Sequence, residues 1–149
     1  MSVRFRIATE ADVPAILALL TDDVLGAGRE GAALDTYMAA FREVDADPNN
    51  AVIVGEQDGA IVTTYHLTFI PGLTLQASKR AQIEGVRVAG HLRGQQIGEA
   101  MIADAEVRAR GAGCTLMQLT MNKSRTDTAR FYQRLGFTPS HIGYKRDLT

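Results

Sequence analysis

The segment Val86-Arg87-Val88-Ala89-Gly90-His91-Leu92-Arg93-Gly94-Gln95-Gln96-Ile97-Gly98-Glu99-Ala100 constrains this chain more than any other. An apolar, β-branched run that breaks at glycine and resumes with helical spacing reads as a strand feeding a helix through a short loop. The first amides of such a helix have no acceptor within it, and its dipole adds positive potential there. The turn is therefore a ready anion site, and a diphosphate fits it. Gly94 and Gly98 let the backbone come close, and Arg93 adds a formal charge. A plain strand-to-helix connection would read the same way. No Gly-Lys-Ser/Thr follows, so this is not a P-loop, and the spacing is not the dinucleotide G-x-G-x-x-G.

The rest of the chain sets that turn in a mixed architecture. Val3 to Ile7 alternates as a half-buried strand, and Thr9 with Asp12 reads as a helix start ahead of Pro14 and the apolar face Ile16, Leu17, Leu19, Leu20. A break over 26–31 leads to a helix from about Ala33 to Asp45. Residues 51–56 and 60–69 read as strands joined by the hairpin turn Asp58-Gly59, and Arg80 to Val88 as a third long strand. A helix is expected from Gly94 to Arg110, a strand over 115–120 and a helix over 126–135, with Gly136-Phe137 and His141 to Arg146 finishing the sheet. A strand meander followed by alternating strands and helices implies an α/β (mixed α+β) fold. It has one central, mostly antiparallel sheet flanked by about four helices. No repeat or long linker divides the 149 residues, so one domain over 1–149 is expected.

Bulk properties narrow the function. A net charge of −1 gives no overall basic field for nucleic acid or an anionic membrane. Arg80, Arg87, Arg108 and Arg110, with no aromatic residues between them, are expected as surface charge. Cys114 is the only cysteine, so no internal disulfide and no cysteine-based metal site is expected; it reads as a core residue opening a strand. The first residues lack an apolar leader, and no apolar run reaches the ~20 residues of a membrane span, so a cytoplasmic location is expected.

Arg93-Gly94-Gln95-Gln96-Ile97-Gly98 resembles the Q/R-x-x-G-x-G/A signature of the GNAT N-acetyltransferases, with Gln96 where the family usually has glycine. Glu84 lies in the preceding strand, where many members carry a carboxylate, and Phe131-Tyr132-Gln133-Arg134-Leu135-Gly136-Phe137 resembles the family's F-Y-x-x-L-G-F ending. The resemblance covers nearly the whole chain and implies a GNAT-like acyl-CoA N-acyltransferase fold. It also implies acetyl-CoA as cosubstrate, no metal, and direct attack by an amine in a ternary complex.

Carried over residue by residue, it places pantetheine against the main chain of Val86, Arg87 and Val88, in a gap between the fourth and fifth strands. An amide near Val88 would polarise the thioester carbonyl. The diphosphate would lie on Arg93, Gly94, Gln95, Gln96, Ile97, Gly98 and Glu99. Asn122, Phe131 and Tyr132 complete the coenzyme contacts, with Arg125 near a phosphate or simply solvated. A lysine-like amine arrives protonated, since its reference pKa is about 10.4, so a base is needed. Glu84 is the candidate, with His66 in reserve. Tyr132 is the candidate acid for the leaving thiolate, against a reading as a core aromatic.

The acceptor is expected to be an amine on a small molecule or peptide, met by residues 20–43 and 71–79. Asp22, Asp23, Glu30, Asp35 and Glu43 suit a cation or are a solvated acidic face. A homodimer is also compatible with the family. The competing reading is a catalytically silent acyl-CoA-binding sensor or interaction module.

Overall fold

The computed structural model describes residues 2–22 and 30–149. Strand β1 (Arg4–Ile7) leads through a 3-10 turn (Glu10–Asp12) into α1 (Val13–Leu20), and α2 (Leu34–Ala46) follows. Strands β2 (Asn50–Gln57) and β3 (Ala60–Ile70) form the hairpin, with Asp58 and Gly59 both at positive φ. A one-turn segment, Thr74–Ala77, precedes β4 (Arg80–Val88). Then come a 3-10 turn (Gly90–Leu92), α3 (Ile97–Gly111), β5 (Leu116–Leu119) and α4 (Thr126–Arg134). The sheet order is β1-β2-β3-β4-β5, antiparallel throughout except for the parallel pair β4–β5.

Each face of the sheet has its own cover. Odd-numbered residues of the central strands (Ile53, Tyr65, Leu67, Ala81, Ile83) pack with Met101, Ile102, Ala105 and Ala109 of α3 and Tyr132 of α4. Val54 on the other face packs with Val13 and Ile16 of α1 and Phe41 of α2. The period-two alternation of the strands sorts these side chains, and the helical period of α3 presents a matching stripe. Cys114 is buried, as expected, and burial pushes its thiol pKa up.

The entry of the chain is locked by charge. The carboxylate of Asp12 accepts two hydrogen bonds from the Arg6 guanidinium (2.7 and 2.9 Å) and one from the Thr9 amide (2.7 Å), and Arg6 also reaches Glu56 of β2. The Arg6 bonds hold the Asp12 carboxyl at about 2, well below its ordinary value.

Three expectations need correction. The helix after β4 begins at Ile97 rather than Gly94, because Gly94 and Gln96 both have positive φ and cannot continue a right-handed helix. Residues 138–149 form no strand and are exposed, with Ile142, Tyr144 and Leu148 at 80 %, 89 % and 92 % exposure. Arginines 87 and 108 are not plain surface charge: Arg87 is buried, and Arg108 donates to Asp104, which also accepts from the buried Tyr65 hydroxyl at 2.6 Å. The expected break over 26–31 lies largely outside the described residues.

Candidate active site at the unpaired edge of β4

Strand β4 pairs with β5 only through Arg80, Ala81, Gln82 and Ile83. Strand β5 ends at Leu119, which leaves a gap in the ladder beyond Ile83, where residues 84–88 have no partner on that side. The local cause is a bulge. The β3–β4 register shifts between Thr64 and His66, opposite Gly85, whose φ is +61°. Val86 and Val88 remain partly buried against the α3-side core, and the Val86 carbonyl accepts a hydrogen bond from the Arg87 guanidinium (2.9 Å).

The loop after β4 ends in a run of bare amides. Among the described residues, no backbone N–H of residues 94–99 donates a hydrogen bond; the first closed link of the helix is Ala100 N–H to the Gln96 carbonyl at 3.2 Å. Residues 94–96 are exposed and 97–99 open the helix, so six successive amides without a protein acceptor are available to an anion there. Gly94 at φ +81° and Gln96 at φ +63° set the turn that carries these amides. Gln96 thus adopts the left-handed conformation that glycine would adopt freely, and its Cβ costs about 1 kcal/mol there. These amides could hold a diphosphate; Arg93 stands beside them in a long contact to Asp22 (3.8 Å). The Glu99 side chain turns away to Arg134 (3.3 Å), leaving its amide for the anion.

Gly98 has a second reason to be glycine. A Cβ built there lies 3.0 Å from the tip of the Phe131 ring, so α3 and α4 meet backbone to ring at this point. Phe131 is held there by Arg134 over its face (5.6 Å), and Tyr132 meets Phe131 and Phe137 edge-on at 5.1 and 5.6 Å. Tyr132 is buried, and that burial raises its pKa against the opposing pull of Arg125 and Arg87. Its hydroxyl therefore stays protonated through neutral pH. Asn122 caps a turn: its side-chain carbonyl accepts from the Ser124 amide (3.0 Å) and hydroxyl (2.7 Å).

Glu84 is exposed and lies directly across from His66. Both project to the face opposite Tyr132, because Ile83 and Tyr65 beside them point to the α3 side. The candidate acid and base thus flank the gap from opposite faces of the sheet. His66 is half-buried; desolvation lowers its pKa and Glu84 offsets part of that. Sequence reasoning missed the Asn50 side chain, whose oxygen lies 2.7 Å from His66 Nε2. The period of β2 and β3 placed both on one face, but the register that joins them is not visible in either strand alone. Among the described residues no group of three or more His, Cys, Asp or Glu is arranged to hold a metal, and no helix is long and apolar enough to cross a membrane.

Comparison with known proteins agrees with this geometry. A model of the acetyltransferase (GNAT) family matches residues 15–137. An aminoalkylphosphonate N-acetyltransferase of Salmonella typhimurium is 31 % identical over 143 residues, covering 96 % of this chain and 90 % of the relative. Among solved structures, one described as a transcriptional regulator from Bacillus halodurans is 44 % identical, with a TM-score of 0.94, over 99 % of this chain and 100 % of that one. Glucosamine-6-phosphate N-acetyltransferase from Arabidopsis thaliana shares the fold at 18 % identity, with a TM-score of 0.82 and full coverage of both chains. With its motif loop, the unpaired edge of β4 and a family match over most of its length, this chain belongs to the acetyltransferase (GNAT) family and is an acyltransferase.

Proposed function

We propose that this protein transfers an acetyl group from acetyl-CoA to the primary amine of a small acceptor, by direct attack with both substrates bound. The observation that carries the reading is the joint presence of the bare amides of residues 94–99 and the unpaired edge of β4 beyond Ile83. A nest for a diphosphate and a strand edge for an amide-bearing arm lie on consecutive stretches of one chain, as acyl-CoA requires. The coenzyme, when bound, supplies the thioester. The chain's own groups do the rest. Residues 93–99 hold phosphate oxygens, and the main chain of 86–88 aligns the arm. The Val88 amide is a donor to the carbonyl oxygen. Tyr132, kept protonated by burial, hands its proton to the departing sulfur. Glu84 draws the ammonium of the acceptor to the mouth of the gap. The aminoalkylphosphonate relative supports a small amine as acceptor.

The test is thiol release from acetyl-CoA across an amine panel that includes aminoalkylphosphonates, polyamines and aminoglycosides. Amine-dependent release is expected. Tyr132→Phe is expected to lower kcat at least tenfold with acetyl-CoA affinity within twofold of the parent. Equal loss of both would make Tyr132 a packing residue. The relative described as a transcriptional regulator favours a second reading, a coenzyme sensor. Saturable acetyl-CoA binding without release by any amine would select it.

A further inference from the structure

The α1-side face of the sheet carries a polar row that the core does not explain. Asn50, Thr68, Gln82 and Gln118 are successive register partners across β2, β3, β4 and β5. Thr68 Oγ1 donates to Asn50 Oδ1 at 2.9 Å, and Gln118 Nε2 donates to Gln82 Oε1 at 2.7 Å. His66 stands in the next row, opposite Glu84.

The orientation of His66 follows from a chain of forced choices that starts at Asp47. A carboxylate only accepts hydrogen bonds. Asp47 Oδ1 accepts the Asn49 amide (2.8 Å), and Oδ2 lies 3.0 Å from the side-chain amide of Asn50. Asn50 must therefore turn its Nδ2 to Asp47 and its Oδ1 into the sheet face. That oxygen already accepts from Thr68, so it can only accept from the imidazole as well. The proton is then on His66 Nε2, and among the described residues Nδ1 has no hydrogen-bond partner. The Glu84 side chain, by contrast, makes no hydrogen bond or ion pair among the described residues.

We infer that Asp47 and Asn50 are positioning residues that lock His66 as the Nε2–H tautomer, and that His66 Nδ1 takes the proton from the acceptor's ammonium. This rests on the acetyl-transfer reading above. In the step, the ammonium N–H bond breaks, its electron pair stays on the amine nitrogen, and an Nδ1–H bond forms; the imidazolium then releases the proton to water. The neutral amine attacks the thioester. Among described residues the charge felt by His66 is that of Glu84; Asn50, Val52, Thr64 and Thr68 around it are uncharged. Glu84 steadies the imidazolium while it exists.

Two measurements test this. Nitrogen NMR of the labelled imidazole in the unliganded protein reports the tautomer without any turnover. The Nε2–H form is expected, and it should mix with the Nδ1–H form in Asn50→Ala. A native Nδ1–H form overturns the positioning role whatever the activity. The second is the pH profile of kcat/KM with the best amine found. His66→Gln is expected to lose about 100-fold and its acidic limb, with acetyl-CoA affinity unchanged. An acceptor with a weakly basic, already neutral amine should lose far less. Asn50→Ala should lose about tenfold, and the exchange Asp47→Asn with Asn50→Asp should restore kcat while moving the acidic limb upward, because a carboxylate then faces the imidazole. His66→Gln with the parent's rate and profile overturns the proton role, even where acetyl transfer itself stands. Absence of transfer to any amine defeats the functional reading instead, and the NMR result then judges the tautomer lock alone.

Discussion

Gln96 shows how a single residue carries a family's glycine position without the glycine. At φ +63° its Cβ crowds the following carbonyl, a strain of about 1 kcal/mol that glycine would not have. Glycine gives part of that back through its freer unfolded chain. Gln96→Gly is therefore expected to raise Tm by about 2 °C in scanning calorimetry. A fall would mean that the Gln96 side chain holds the loop through contacts stronger than the strain. The amides on either side are untouched by this exchange, so acetyl-CoA affinity should stay within a few-fold. Tyr132 illustrates the converse. Packing and proton donation do not compete at this position, because the edge-on contacts to Phe131 and Phe137 bury the ring. That same burial keeps the phenol protonated.

At the scale of elements, the start of α3 is both a row of unpaired amides and a packing seam. Gly98→Ala places a methyl 3.0 Å from the Phe131 ring, which must tilt away from α3. A cost of about 1 kcal/mol and weaker acetyl-CoA binding are expected. Shortening the ring in Gly98→Ala with Phe131→Leu should recover much of the lost stability. Additive losses in that double-mutant cycle would mean the two positions do not touch. Gly98→Trp should abolish binding, since an indole directed at Phe131 forces α3 and α4 apart beside the loop. Much of this was legible in the chain. Arg80 to Val88 shows its strand by composition, and Thr126 to Arg134 its helix by period. The bulge at Gly85 and the left-handed turn at Gln96 were not, because positive φ at a non-glycine residue leaves no mark in composition. The missing last strand has a related cause. His141 to Arg146 alternates as a strand should, but alternation states a preference for an edge without supplying one. The Asp47–Asn50–His66 relay depends on the β2–β3 register, which no local pattern reveals.

For the whole molecule, stability should depend on pH in two separate windows. Asp12 has a depressed pKa, about 2, so its contribution is full above the unfolded value near 4 and is lost as pH falls toward 2. With only 10 % of its side chain exposed, the pair with Arg6 contributes about 2 kcal/mol. Asp12→Asn should lower stability by that amount at pH 7 in urea unfolding and flatten the slope between pH 4 and 2. His66 is also depressed, but it is a base. The unfolded chain therefore takes up its proton first, and stability falls as pH drops below about 6.5; His66→Gln should remove that slope. Residues 138–149 bury no side chain in this structure, so a chain ending at Thr138 should keep its Tm within about 2 °C. A large fall would show that a second copy holds the tail. The unpaired edge of β4 has one more consequence. Glu84 and His66 lie on one face of the sheet and Tyr132 on the other, so an amine arriving beside the carboxylate need not displace a thioester held along the β4 edge. Initial-velocity lines for the two reactants should then intersect, with desulfo-coenzyme A competing against the thioester alone and leaving the amine's access unaltered.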